Sequence, residues 1–291
     1  MAATNSPIGA DATDVRSPHR RGDRVGRYVL TRPIGTGATG EIWVAQDTLL
    51  AIPVALKVLQ PSGMGGLGES RLLHEGRSAA ELEHPAIVRV LDFGTSADGE
   101  PYLALELLTG QTLTSFAEAG PVSPELAVRL ILPVLDALAL AHEHGIVHRD
   151  IKPDNLFVAR NERGRLQPKL LDFGVAKSCS PLAARLTQPG RTVGSPAYMA
   201  PEQARGEEDI DGRADLWSVA ITLYELVAGR LPFEGATIPH LLTAIVVADP
   251  PPLTFVHGVD DELSAILACA MAKSRDARFP DARAMGEALA R

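Results

Sequence analysis

Apolar and polar residues alternate over three short stretches early in the chain, 28–34, 40–46 and 53–59, each set off by glycine, aspartate or proline. A period of two is the mark of a pleated strand with one buried face, so these stretches predict three antiparallel strands. A glycine-rich segment follows at 61–68. Residues 71–82 then take up helical spacing, and two more strand-like runs appear near 87–93 and 102–107. Beyond residue 120 the period changes. Ser123-Pro124 places an N-cap and a first-turn proline ahead of Leu126, Leu130, Val134, Leu135 and Leu138, which share one helix face, and Gly145 can end that helix. Pro133 inside it is expected to bend it. Helical spacing returns near 212–228, 236–247, 260–272 and 281–290, and no internal repeat or low-complexity block is present in the sequence. The pattern predicts an α+β chain, β-rich first and mostly helical afterwards.

Composition narrows the partners. A chain of 291 residues with 45% apolar content can bury one large core or two lobes. Its formal charge of −8 argues against nonspecific nucleic-acid binding, which depends on a basic balance that neutralises phosphates. Cys179 and Cys269 lie far apart and without metal-ligand spacing, so the reading is two free thiols in a reducing, cytoplasmic compartment. The longest apolar stretch, 126–141, is broken by Arg129, Pro133 and Asp136 and reads as a buried helix, with no membrane segment in this chain. Residues 1–26 carry Arg16, Arg20, Arg21 and Arg24 without a following apolar run, which excludes a signal peptide and predicts a disordered tail.

The candidate chemistry is concentrated in one run, Ile146-Val147-His148-Arg149-Asp150-Ile151-Lys152-Pro153-Asp154-Asn155-Leu156-Phe157, followed by Leu171-Asp172-Phe173-Gly174. Asp150 can accept a hydroxyl proton, while Asn155 and Asp172 offer the hard oxygen ligands that Mg²⁺ prefers beside nucleotide phosphates. Lysine usage points the same way. Of the 28 basic residues only Lys57, Lys152, Lys169, Lys177 and Lys273 are lysines, so a lysine stands out where a compact ammonium is needed. Gly35-Thr36-Gly37-Ala38-Thr39-Gly40 lies between two predicted strands, where glycines let backbone N–H groups approach phosphates. A dinucleotide fold would put a helix directly after such a loop, whereas Glu41-Ile42-Trp43-Val44-Ala45 reads as a strand.

Together these motifs resemble the protein kinase family, in wording nearest to bacterial eukaryote-like (Hanks-type) serine/threonine kinases, over about residues 27–291. The resemblance implies a bilobal kinase-like fold: a small β-rich N-lobe with one main helix, about 27–107, and a larger mostly helical C-lobe, about 109–291. It implies ATP with Mg²⁺ or Mn²⁺ as cofactors. Asp150 would be the base, Lys152 would steady the γ-phosphate, Asn155 and Asp172 would hold the metal, and Lys57 of Val54-Ala55-Leu56-Lys57 would meet the α and β phosphates, paired with Glu75. Glu81 and Glu83 are alternatives for that partner. Ile34, Gly35, Gly37, Gly40, Ile42, Ala55, Leu105, Phe157 and the backbone of Glu106 and Leu108 would form the ATP site, with Leu105 as gatekeeper. His148 would pack on Phe173.

Gly194-Ser195-Pro196-Ala197-Tyr198-Met199-Ala200-Pro201-Glu202 resembles the end of a kinase activation segment, which implies a protein substrate with a serine or threonine acceptor, including the kinase itself. Ser195 would bridge Asp150 and Lys152. Glu202 would pair with Arg278, and Asp215 would brace the catalytic loop. Arg149 would pair with a phosphate on Thr187 or Thr192, implying activation by autophosphorylation, for which a dimer is a natural arrangement. Two rivals come from other classes: a pseudokinase, opposed by the intact Lys57, Asp150, Asn155 and Asp172, and a small-molecule phosphotransferase, opposed by the 200–202 segment.

Overall fold

The structure, a computed structural model, describes residues 19–37, 40–59, 82–161, 163–171, 195–253, 256 and 258–291. Its N-lobe is a six-stranded antiparallel sheet in the order β1-β2-β3-β4-β6-β5: β1 Arg24–Val25, β2 Tyr28–Gly37, β3 Gly40–Asp47, β4 Pro53–Leu59, β5 Val90–Thr95 and β6 Pro101–Glu106. Alternation along the strands sorts the side chains as the sequence predicts. Trp43 and Ala45 of β3 and Val54, Leu56 and Val58 of β4 are buried in one cluster with Tyr28, Leu30 and Ala104. The helix expected over 71–82, with Glu75 and Glu81, lies outside the described residues except for Leu82.

The lobe begins earlier than the composition suggested. Within the stretch expected to be a tail, Arg24–Val25 form a strand of the sheet: β1 pairs with β2, and Val25 is fully buried in the N-lobe cluster. The reason is one apolar side chain in a basic stretch, which a net-charge reading overlooks. His19 adds a second tie. Its ring nitrogens stand 3.3 Å from Glu41 Oε2 and 3.2 Å from Glu100 Oε2.

In the C-lobe, α1 (Leu113–Ala117), α2 (Pro124–Glu143), α3 (Pro201–Arg205), α4 (Arg213–Ala228), α5 (Ile238–Val247), α6 (Asp261–Ala270) and α7 (Ala282–Leu289) enclose one hydrophobic core, and β7 (Gly110–Thr112), β8 (Leu156–Arg160) and β9 (Leu166–Leu170) form a small antiparallel sheet. Helix α2 starts as expected, Ser123 Oγ accepting the Leu126 N–H at 3.4 Å, and ends at Gly145 with φ of +72°. It is one continuous element through Pro133. Helix α4 is buried nearly all round, as befits a helix at the centre of a lobe. Ser218 and Thr222 tolerate this because their hydroxyls donate to the Ala214 and Ser218 carbonyls one turn back. No helix among the described residues is long and apolar enough to cross a membrane.

Candidate active site

One face of the N-lobe sheet carries the predicted roof of the cleft. Ile42 pairs with Lys57 and Val44 with Ala55 across β3 and β4, while Ala55 pairs with Leu105 and Lys57 with Leu103 across β4 and β6. Partners in register share a sheet face, so Ile42, Ala55, Lys57 and Leu105 lie together, opposite the buried Trp43, Leu56 and Val58. Lys57 is 9% exposed. A lysine so enclosed requires an anionic companion. Ile34 stands half exposed at an irregularity in the β2–β3 register, and Gly37 pairs with Gly40 where the hairpin turns. Gly35 has open space where a side chain would be, whereas a Cβ on Gly40, at φ of +151°, would meet the Val58 carbonyl oxygen at 2.0 Å. Gly40→Ala is therefore expected to cost about 2 kcal/mol through strain at that turn and to weaken nucleotide binding; urea unfolding and calorimetric titration with Mg·ADP check both.

The floor comes from the C-lobe. Phe157, proposed for it, is half-buried on β8, where it pairs with Thr112 and Lys169, while its neighbour Leu156 is buried. Between α2 and β8, the 146–155 segment is anchored at His148 and Arg149 by one carboxylate. Asp215, fully buried on α4, accepts the His148 N–H at 2.9 Å and the Arg149 N–H at 2.7 Å, and its Oδ2 is 2.8 Å from His142 Nε2. Arg149 has φ of +63°, a left-handed conformation that a side chain adopts only when its surroundings enforce it. The two N–H bonds to Asp215 do so. His148 Nε2 donates to the Leu171 carbonyl at 2.9 Å, and its Nδ1 accepts the Asp150 N–H at 3.3 Å, so the imidazole is a strut carrying its proton on Nε2. Asp215→Asn leaves one acceptor oxygen where there were two, so one of these N–H bonds is lost and the other loses its charge; we expect a loss of about 2 kcal/mol in stability and a fall in turnover, read by denaturant unfolding and initial rates.

Within this loop Asn155 Nδ2 donates to the Asp150 carbonyl at 2.7 Å and to Asp150 Oδ2 at 3.0 Å, and Lys152 Nζ lies 3.6 Å from the same Oδ2. The carboxylate is thus fixed by an amide and flanked by a cation. With its nitrogen committed to Asp150, Asn155 keeps its amide oxygen, a hard ligand of the kind that Mg²⁺ takes. The Leu171 N–H donates to the Asn155 carbonyl at 2.8 Å, tying the loop to the chain entering Asp172. Asp172, Phe173, Thr187 and Thr192 lie outside the described residues, as does the Ser195 side chain. Leu105 is buried, and Glu106 and Leu108 follow it at the connection between lobes. The Glu106 N–H donates to the Arg89 carbonyl at 3.0 Å.

The side of the loop that meets residues 200–210 is equally fixed. Gln203 takes the Ala200 N–H on its Oε1 at 3.0 Å and donates its Nε2 to the Arg149 carbonyl at 3.2 Å. The Arg149 guanidinium donates to the Ile210 carbonyl at 3.4 Å. Tyr198 donates its hydroxyl to Glu225 at 2.7 Å, and burial raises the pKa of both groups above their ordinary values. Glu202 and Arg278 form the expected pair, two bonds of 2.7 Å between side chains that are almost wholly buried.

Sequence reasoning missed two contacts here. His142 touches Asp215 although neither motif contains it, and Lys169 of β9 lies 2.5 Å from Glu106 Oε1. The second had a visible signal: a lysine kept in an arginine-rich chain.

A bilobal chain with a glycine hairpin, a buried strand lysine and this catalytic loop defines the class. The protein kinase domain profile matches residues 28–278, and the chain belongs to the protein kinase family. Among curated proteins it is 39% identical to the serine/threonine-protein kinase pkn2 of Myxococcus xanthus, over 78% of this chain and 27% of that protein. It is 37% identical to PknL of Mycobacterium tuberculosis, over 90% of this chain and 65% of PknL. It is 35% identical to PknB of Mycolicibacterium smegmatis, over 91% of this chain and 43% of PknB. The chain thus spans from about a quarter to two thirds of the length of these relatives. Among solved structures, the kinase domain of Mycobacterium tuberculosis PknI superposes with a TM-score of 0.73 at 28% identity, covering 94% of this chain and 98% of that one.

Proposed function

We propose that this domain transfers the γ-phosphate of ATP to serine or threonine hydroxyls of proteins. The observation that carries this reading is the Asp150 carboxylate, fixed by Asn155 Nδ2 at 3.0 Å and flanked by Lys152 Nζ at 3.6 Å. In this reading Asp150 orients the acceptor hydroxyl and takes its proton, Lys152 balances charge on the transferring group, and Lys57 neutralises the inner phosphates. The adenine lies against Ile42, Ala55, Leu105 and Phe157, with the main chain of Glu106 and Leu108 reading its edge. Bound Mg²⁺ neutralises phosphate charge, and Asn155 with Asp172 would hold it.

Lys152 two positions beyond Asp150, together with Ser195, supports alcohol rather than phenol acceptors, as do the names of the relatives. Arg149, at the edge of the loop, suits capture of a phosphate on Thr187 or Thr192, which would make activation autocatalytic and favour a transient dimer. The acidic net charge suits protein rather than nucleic-acid partners, and the free thiol of Cys269 suits a cytoplasmic setting. The decisive experiment incubates the protein with labelled ATP and Mg²⁺, alone and with a generic protein substrate, alongside Lys57→Met. Label on phosphoserine or phosphothreonine that vanishes in the variant is expected; label on tyrosine alone, or none, overturns the reading.

A further inference from the structure

Two of the five lysines remain among the described residues once Lys57 and Lys152 are placed: Lys169 and Lys273. Lys273 lies over the Trp217 and Phe233 rings and donates to the Ile245 carbonyl, a packing role within the C-lobe. Lys169 is different because it faces out of its own lobe. It sits on β9, 9% exposed, and its Nζ lies 2.5 Å from Glu106 Oε1 and 3.3 Å from the Ile87 carbonyl oxygen.

Glu106 is the last residue of β6, where the chain passes from the N-lobe to the C-lobe, and its main chain is assigned above to the adenine edge. The same Oε1 also accepts the Arg89 N–H at 2.9 Å, and the Glu106 N–H returns a bond to the Arg89 carbonyl at 3.0 Å. Two further backbone bonds, Val88 N–H to the Leu170 carbonyl at 3.0 Å and Leu170 N–H to the Ala86 carbonyl at 2.7 Å, clamp segment 84–89 against β9. The strand then runs into Leu171, which is held at both ends of its peptide by Asn155 and His148. A continuous set of bonds therefore leads from the adenine-side connection, through one ammonium, to the strand beside the catalytic loop. An ammonium suits this junction better than a guanidinium, because its donors reach a carboxylate and a carbonyl in different directions from a single compact atom.

We propose that Lys169 is a positioning residue for the nucleotide: by pinning the Glu106 carboxylate it fixes the hinge main chain relative to the strand that leads to the metal ligand. The inference rests on the kinase reading above. Lys169→Met leaves the carboxylate without its cation and lets the connection drift, so nucleotide affinity falls while phosphoryl transfer from bound nucleotide is spared.

The test is calorimetric titration of the full 291-residue chain with Mg·ADP, together with KM for ATP and kcat, for Lys169→Met, Glu106→Gln and the double variant. Leu263→Ala, in the far part of the C-lobe, serves as a control for general destabilisation. Each single variant is expected to weaken Mg·ADP binding and raise KM for ATP by about tenfold, the size of one charge-assisted contact. The double variant should be no worse than either, and kcat at saturating ATP should hold within about twofold. Glu106→Gln keeps the side-chain shape, so it answers the question should Lys169→Met fold poorly. Unchanged affinity in both single variants, strict additivity in the double, or an equal loss in Leu263→Ala overturns the proposal. Failure of the parent chain itself to bind Mg·ADP would instead overturn the kinase reading.

Discussion

Replacing Asp150 by Asn is expected to lower the rate of phosphoryl transfer by roughly 10²–10⁴-fold while leaving Mg·ADP affinity within about twofold of the parent. The contrast follows from what Asp150 touches. Its Oδ2 accepts from Asn155 Nδ2 and stands near Lys152 Nζ, and its N–H bonds to His148. An asparagine can turn its own oxygen toward Asn155 and keep that bond, so the loop geometry survives. What disappears is the basic oxygen able to receive the acceptor hydroxyl's proton. A purely structural carboxylate at this position would give the opposite split, a loss of stability with little change in turnover once folded. Initial rates with labelled ATP on a generic protein substrate, set beside titration with Mg·ADP, separate the two. Equal labelling by parent and variant would remove Asp150 from the chemistry.

The sequence makes the roof of the cleft legible for a physical reason. Strand periodicity alone puts Ala55 and Lys57 on the face opposite Val54, Leu56 and Val58, and the register across β3, β4 and β6 then delivers Ile42 and Leu105 to that same face. The four later helices are legible from their 3.6-residue spacing. Contacts without periodicity are a different matter. Asp215 and the Glu202–Arg278 pair could be anticipated only because the motifs around them resemble a known family. His142, 73 residues from Asp215, and Lys169, 63 residues from Glu106, belong to no motif that places them. The small β7–β8–β9 sheet also escaped notice, since a strand as short as Gly110–Thr112 is too brief to show alternation. Val25 shows the converse error: a single apolar residue among arginines was enough to seat β1, while the composition of its neighbourhood argued for a tail.

Arg278 should prove the costliest residue to remove from the C-lobe. Its side chain is fully buried and donates to both oxygens of Glu202 and to the Ala272, Arg213 and Lys273 carbonyls, and its guanidinium lies 5.2 Å from the Trp217 ring centre. Arg278→Leu leaves the Glu202 carboxylate buried with no counter-charge and strands three carbonyls, which costs about 3–5 kcal/mol. Against the 5–15 kcal/mol that holds a typical domain folded, that is a large share. Arg278→Lys keeps the charge but cannot meet both oxygens from one planar fork, so it should fall between parent and Leu. Replacing both members, Glu202→Gln with Arg278→Met, removes the unpaired charge and should recover part of the loss. This ordering distinguishes an uncompensated carboxylate from simple loss of packing, for which the double variant would be the worst of the three. Glu202 belongs to α3, shortly after the Ser195–Tyr198 turn, so the same loss should slacken the segment proposed to present the protein substrate. Urea unfolding orders the three variants by stability, and KM for the protein substrate at saturating ATP reports the slackening; a change in unfolding free energy below about 1 kcal/mol for Arg278→Leu would mean that Glu202 finds another partner.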